Sequence, residues 1–225
     1  QIPPVMCTVT FIPARGRVFI TSNRDEKYTR LPASPPSFYR HKECTLVYPA
    51  DAEKGGTWIA MKETGDAAVL LNGAFRKHFS GPSYQKSRGL ILLDVLSDER
   101  PSYFFSKLML NNIEPFTLVL LENNSLYEMR WDGYQKHCRQ LSAGRPHIWS
   151  SATLYDEWIA KKRERWFASF LNNHPVPTQQ DILDFHQTAG DGDSPTDLLM
   201  SRDHIYSTVS TTSILLSDGW GHMKY

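Results

Sequence analysis

Cys7 directly follows Met6 and opens a short β-branched run. If Met6 is an initiator, its removal leaves cysteine as the first residue, because the cysteine side chain is small. A terminal cysteine carries a thiol and an α-amine on one residue. The amine has an ordinary pKa of about 7.7–8.0 and can act as a base near neutral pH without a histidine. The thiol is a strong nucleophile once ionised. The competing reading is a buried strand cysteine, a common fate of free thiols. Gln1–Val5 read as a removable leader or a remnant ahead of a single domain spanning residues 6–225.

Four further clusters carry chemistry. Asn23-Arg24-Asp25-Glu26 follows the second run of strand character. Its arginine could lower a thiol pKa and its aspartate could anchor an amine, although an isolated charged tetrad also suits an exposed loop. Gly55-Gly56-Thr57-Trp58 allows a tight turn or a close backbone approach, with Trp58 as a candidate substrate contact. It lacks the lysine and helix of a phosphate loop. Asn72, in Leu71-Asn72-Gly73, could donate to an oxyanion or simply form a turn. Ser151, ahead of a helical segment, is either a helix cap or a hydroxyl facing a cleft. The Ser207–Ser213 run reads as strand, and the His137-Cys138 pair is a poor ligand set because adjacent strand residues face opposite ways.

The elements that must position these residues are legible from period and punctuation. Cys7–Ile12 and Arg17–Thr21 form a hairpin about a turn at Pro13–Gly16. Leu31–Ser37, with three prolines, reads as an irregular loop. Thr57–Met61 with Ala67–Leu71, and Phe116–Glu122 with Ser125–Trp131, read as further hairpins. Helices are expected over Ser87–Leu96, Pro101–Leu110, Tyr155–Leu171 and Gln179–Gln187. In the third, Tyr155, Trp158, Ile159, Trp166, Phe167, Phe170 and Leu171 share the apolar face and Lys161–Arg165 fall largely between them. His204–Ser217 and a last short strand close the chain. Hairpins outnumber crossovers, so the expected class is α+β with mainly antiparallel sheets and helices outside them.

Lys plus Arg total 25 and Asp plus Glu total 24, so no global charge favours a nucleic-acid partner. No run approaches the roughly 18–20 apolar residues of a membrane span, so no integral membrane segment is expected. Cys7, Cys44 and Cys138 are widely spaced and odd in number, which fits a reducing, cytoplasmic setting and offers no zinc site. A small-molecule substrate or ligand is the expected partner. Nothing in the chain sets an oligomeric state or calls for a metal or cofactor.

Taken together, Met6-Cys7-Thr8, Asn23–Glu26 (NRDE), Gly55–Trp58 (GGTW), Leu71-Asn72-Gly73, Ser87-Arg88-Gly89, Pro115-Phe116 and Trp131-Asp132-Gly133 resemble the NRDE family, also called the transport and Golgi organisation 2-like family. That family is similar to the cysteine branch of the N-terminal nucleophile hydrolases. The resemblance implies a four-layer αββα sandwich and hydrolysis of a linear, non-peptide amide C–N bond. The implied catalytic set is Cys7 as nucleophile, Arg24 one hairpin later, Asp25 on the terminal amine, Asn72 as oxyanion donor and Ser151 where the branch commonly has a second asparagine. Asn23, Glu26, Trp58 and Arg88 are the implied substrate contacts. Val209 stands where the branch carries a late arginine, with Arg202 nearby. The alternative is a non-catalytic carrier or chaperone that binds haem, acyl-CoA or another amphipathic carboxylate through Arg24, Arg88 or His78.

Overall fold

A computed structural model of the chain describes residues 7–76, 84–151 and 157–225. The strands begin with β1 (Cys7–Ala14), β2 (Arg17–Lys27), β3 (Ser34–His41), β4 (Cys44–Ala50), β5 (Ile59–Lys62) and β6 (Ala67–Asn72). After helices α1 (Arg88–Leu96) and α2 (Pro101–Lys107) come β7 (Phe116–Glu122), β8 (Ser125–Trp131), β9 (Lys136–Leu141) and β10 (His147–Ser150). Helices α3 (Glu157–Asn173) and α4 (Gln179–Thr188) precede β11 (Ser201–Arg202), β12 (Tyr206–Ser217) and β13 (Trp220–Lys224).

The strands form two antiparallel sheets. One runs β10-β1-β2-β12, with β11 and β13 both paired to β12. The other is a meander in chain order from β3 to β9. β1, β2, β6 and β7 are buried on both faces over most of their length, so each sheet is covered on both sides. Val9, Phe11 and Ile20 of the first sheet meet Ile59, Val69, Leu71 and Val119 of the second. The other face of the first sheet puts Ile12, Phe19 and Leu215 against Phe167, Phe170, Ile182 and Phe185 of α3 and α4. The other face of the second sheet puts Leu46, Leu118 and Leu120 against Ile91, Leu92, Val95 and Phe105 of α1 and α2. Three apolar layers separate four structural ones, which is an αββα sandwich.

Local chemistry sets the helix starts. Ser87 caps α1 by accepting from the Leu90 N–H, and α2 begins on Pro101. Thr178 and Asp181 form a reciprocal capping box on α4.

Several sequence expectations need correction. The proline-rich segment is not a loop throughout, because β3 begins at Ser34. Pro35 and Pro36 fall in a register break between Ser34 and Ser37 on an edge strand, where missing N–H donors are tolerated. β9 and β10 were not expected, and the helix from Pro101 ends at Lys107. In α3, Trp158 is exposed whereas Lys162 and Arg163 are buried. The start of the Tyr155–Leu171 expectation lies outside the described residues, as does His78. No helix among the described residues is long and apolar enough to cross a membrane.

Candidate active site

The β1–β2 pairing sets Cys7 directly opposite Arg24. Side chains alternate along a strand, so the Asn23–Glu26 tetrad divides. Arg24 and Glu26 share the inter-sheet face with Cys7, while Asn23 and Asp25 turn towards α3 and α4. Cys7 is 5% exposed and packs with Trp58 and Leu71. Burial pushes its thiol up to about 12, and the Asp25 charge adds to this. A hydrogen bond with the Asp25 backbone and the Arg24 charge pull the other way.

Arg24 is held from three sides. Its Nη2 donates to Asp51 Oδ2 at 2.8 Å and to Glu26 Oε2 at 3.2 Å, and its guanidinium lies 4.7 Å from the centre of the Trp58 ring. Arg30 joins the same group, with Nη2 at 2.8 Å from Asp51 Oδ2 and Nε at 3.5 Å from Glu26. Burial opposes ionisation of Asp51, but hydrogen bonds from Arg30 and the Lys54 N–H hold its carboxyl below the usual range. Sequence reading missed Asp51 and Arg30. The available signal was an acidic residue four positions before paired glycines.

Those glycines have a geometric role. Asp51 N–H donates to Gly56 O, and Gly55 N–H donates to Asp51 O, closing a tight loop. Gly55 has φ +66°. A Cβ on Gly56 would meet the Gly89 carbonyl carbon at 2.6 Å, so the loop lies backbone to backbone against the start of α1. GGTW and Ser87-Arg88-Gly89 are therefore two sides of one contact. Arg88 emerges from it, donating to Glu114 Oε2 at 3.1 Å and Pro115 O at 3.2 Å. Burial lowers the Arg88 pKa, while the charges of Glu114, Cys7, Tyr84 and Glu26 oppose that effect.

Ser151 ties the sheets together beside the thiol. Its N–H donates to Cys7 O at 3.0 Å and its Oγ donates to Asn72 O at 2.6 Å. Asn72 ends β6, so Cys7, Ser151 and Asn72 meet at one end of the sandwich.

Asn23 lies away from this cluster. Its Nδ2 donates to His186 O and Leu198 O, both at 2.9 Å. Its Oδ1 accepts from Thr211 Oγ1 and from His186 Nδ1, both at 3.0 Å. His186 Nε2 then accepts from Thr10 Oγ1 at 2.8 Å. Burial pushes the His186 pKa down to about 3, and the Arg163 charge adds to this. The fully buried Arg163 donates to Thr8 Oγ1, Thr196 O and Asp197 O.

Asp25 is wholly buried and is the next residue of β2 beyond the Cys7–Arg24 pair, so it flanks the start of β1. Its Oδ1 accepts from Thr208 Oγ1 at 2.5 Å, and its Oδ2 has no hydrogen-bond partner among the described residues. Burial pushes its pKa up to about 7, against the Thr208 hydrogen bond and the Arg163 charge. A folded pKa raised above the ordinary 3.8 contributes stability that is present below pH 3.8 and lost as pH rises through 7. Asp25→Asn removes that loss. In urea unfolding it should equal the wild type near pH 4 and exceed it by about 3 kcal/mol at pH 8. A less stable variant at pH 8 would refute this.

Val209 is the extra residue of a β-bulge between Thr208 and Ser210, and it is exposed. Arg202 lies on β11 and donates to Pro195 O at 3.0 Å. Among the described residues, no three His, Cys, Asp or Glu side chains gather as metal ligands would.

The family described as Transport and Golgi organisation 2 matches residues 6–221. The chain belongs to that family. No curated protein matches the chain. Among solved structures, this family member is similar to a Caenorhabditis elegans N-acylethanolamine-hydrolyzing acid amidase ortholog. The TM-score is 0.61 at 12% identity, covering 95% of this chain and 94% of that one. It is also similar to two variants of the conjugated bile acid hydrolase of Clostridium perfringens. Their TM-scores are 0.56 and 0.55, each at 11% identity and covering 97% of this chain and 92% of that one. Likeness at these identities establishes the fold alone, the two-sheet sandwich that this chain shares with them.

Proposed function

We propose that this Transport and Golgi organisation 2 family member, in a form whose chain begins at Cys7, hydrolyses a linear, non-peptide amide. The observation that carries the reading is the placement of Cys7 opposite Arg24, with the unpaired Oδ2 of Asp25 beside the start of the same strand. A freed Cys7 ammonium would give Asp25 the donor it lacks. In its neutral form the amine takes the thiol proton, and sulfur attacks the amide carbonyl. Asn72 and a backbone N–H hold the oxyanion, while Ser151 positions Asn72 and the Cys7 carbonyl. The proton passes to the leaving amine as the C–N bond breaks, and water then releases the acid from the thioester.

The carrier reading asks Arg24 or Arg88 to receive a carboxylate. Each is already paired, Arg24 with Asp51 and Glu26 and Arg88 with Glu114, which favours a neutral amide over an anion. The names of the structural neighbours, an acylethanolamine amidase and a conjugated bile acid hydrolase, point to the same bond class.

The test is a chain beginning at Cys7, presented with linear amides including N-acylethanolamines and bile acid conjugates. Turnover should proceed through an acyl adduct found by mass on Cys7. Cys7→Ala should lose at least about a thousandfold. Equal turnover in Cys7→Ala, or no turnover of any amide, would overturn the reading.

A further inference from the structure

Three buried polar groups on the inter-sheet side around Arg24 and Ser22 lack hydrogen-bond partners among the described residues: Trp58 Nε1, Ser210 Oγ and Thr212 Oγ1. Trp58 is 6% exposed and Thr212 is 0% exposed. The register explains their placement. Ser210 pairs with Arg24 and Thr212 with Ser22, so both hydroxyls lie on the inter-sheet face. The neighbouring Thr208, Thr211 and Ser213 make their contacts on the helical side, with Asp25, Asn23 and Thr21 respectively. The bulge at Val209 causes the switch. Were the strand to alternate regularly through Val209, Ser210 would share the face of Thr208 and turn to the helical side. From the opposite sheet, the Trp58 indole lies under the Arg24 guanidinium.

Buried polar groups without partners destabilise a fold, and native proteins keep few of them. Apolar replacements of the same shape would be more stable, so three together beside a candidate nucleophile suggest retention for binding. Their chemistry limits the ligand. The indole N–H can only donate, and the two hydroxyls can donate or accept. Arg24 is engaged by Asp51 and Glu26, so no unpaired positive charge is offered to an anion.

We infer that Trp58, Ser210 and Thr212 form a polar subsite between the sheets that receives a neutral, hydroxyl-bearing part of the ligand. This rests on reading Cys7 and its neighbours on the inter-sheet face as the substrate site. It does not require that the chain catalyse hydrolysis.

The test uses the full chain with Cys7→Ala, so that binding is read without turnover. N-(2-hydroxyethyl)hexanamide and its isostere N-propylhexanamide are titrated while the Trp58 indole N–H resonance is followed. The hydroxyl ligand should shift that resonance and bind at least about tenfold more tightly, the difference expected of one well-made hydrogen bond. Ser210→Ala and Thr212→Val should erase the preference while leaving the melting temperature equal or higher. Equal binding of the two amides, or no shift with either, overturns the subsite. A lowered melting temperature in both variants would assign the hydroxyls to structural water and also overturn it. If the preference holds while no amide is turned over by the Cys7 form, the subsite stands and the hydrolase reading fails.

Discussion

A chain that starts at Cys7 should alkylate at that thiol about a thousandfold faster at pH 7 than one in which residues 1–6 precede it. With the thiol pushed up to about 12, only about one molecule in 100,000 is ionised at neutral pH. An ordinary thiol near pKa 8.5 is about 3% ionised there. A chain that starts at Cys7 carries an ammonium on the thiol's own residue, beside Asp25 by the strand register. That positive charge opposes the Asp25 charge, one of the two largest causes of the shift, and favours the thiolate. The measurement is the iodoacetamide rate at Cys7, followed by peptide mass, with buried Cys44 and exposed Cys138 as internal references. Equal rates in the two chains would show that the thiol is not governed by its own nitrogen.

The largest stability effect should come from Asn23, although the family motif invites a substrate-binding reading of it. Asn23→Ala should destabilise the protein by about 4 kcal/mol in urea unfolding. The variant removes two donated and two accepted hydrogen bonds at a site with no exposure. Each is worth about 1 kcal/mol net, and buried carbonyls left without donors cost more. His186 would also lose the acceptor for its Nδ1–H and, with it, its fixed tautomer. In the folded fraction, the alkylation rate of Cys7 should change less than threefold. A stable variant with altered thiol chemistry would return Asn23 to the substrate side.

Much of the architecture was legible because it depends on local period. β1 and β2 are rich in β-branched residues, β5–β6 and β7–β8 are largely apolar runs broken by short turn segments, and α1 and α4 carry side-chain caps. The Arg24–Cys7 pairing follows once that first hairpin is drawn about its Pro13–Gly16 turn. The division of the tetrad between two faces also follows from period two, but only after the tetrad is placed inside β2 rather than beyond it. Other features depended on distant partners. Arg163 and Lys162 sit in a charged run that looks solvated until Thr8, Thr196 and the segment after α4 surround it. Asp51 has no local mark that ties it to Arg24, from which it is separated by 26 intervening residues and a change of sheet. The bulge at Val209 leaves no compositional trace in a run of serines and threonines.

The split tetrad has a mechanical consequence. One four-residue stretch of β2 anchors the outer helices through Asn23 and sets Arg24 opposite Cys7 on the inter-sheet face, with no joint between the two tasks. Loosening α4 therefore cannot stay a peripheral event, because the same backbone would carry the disturbance to the sulfur.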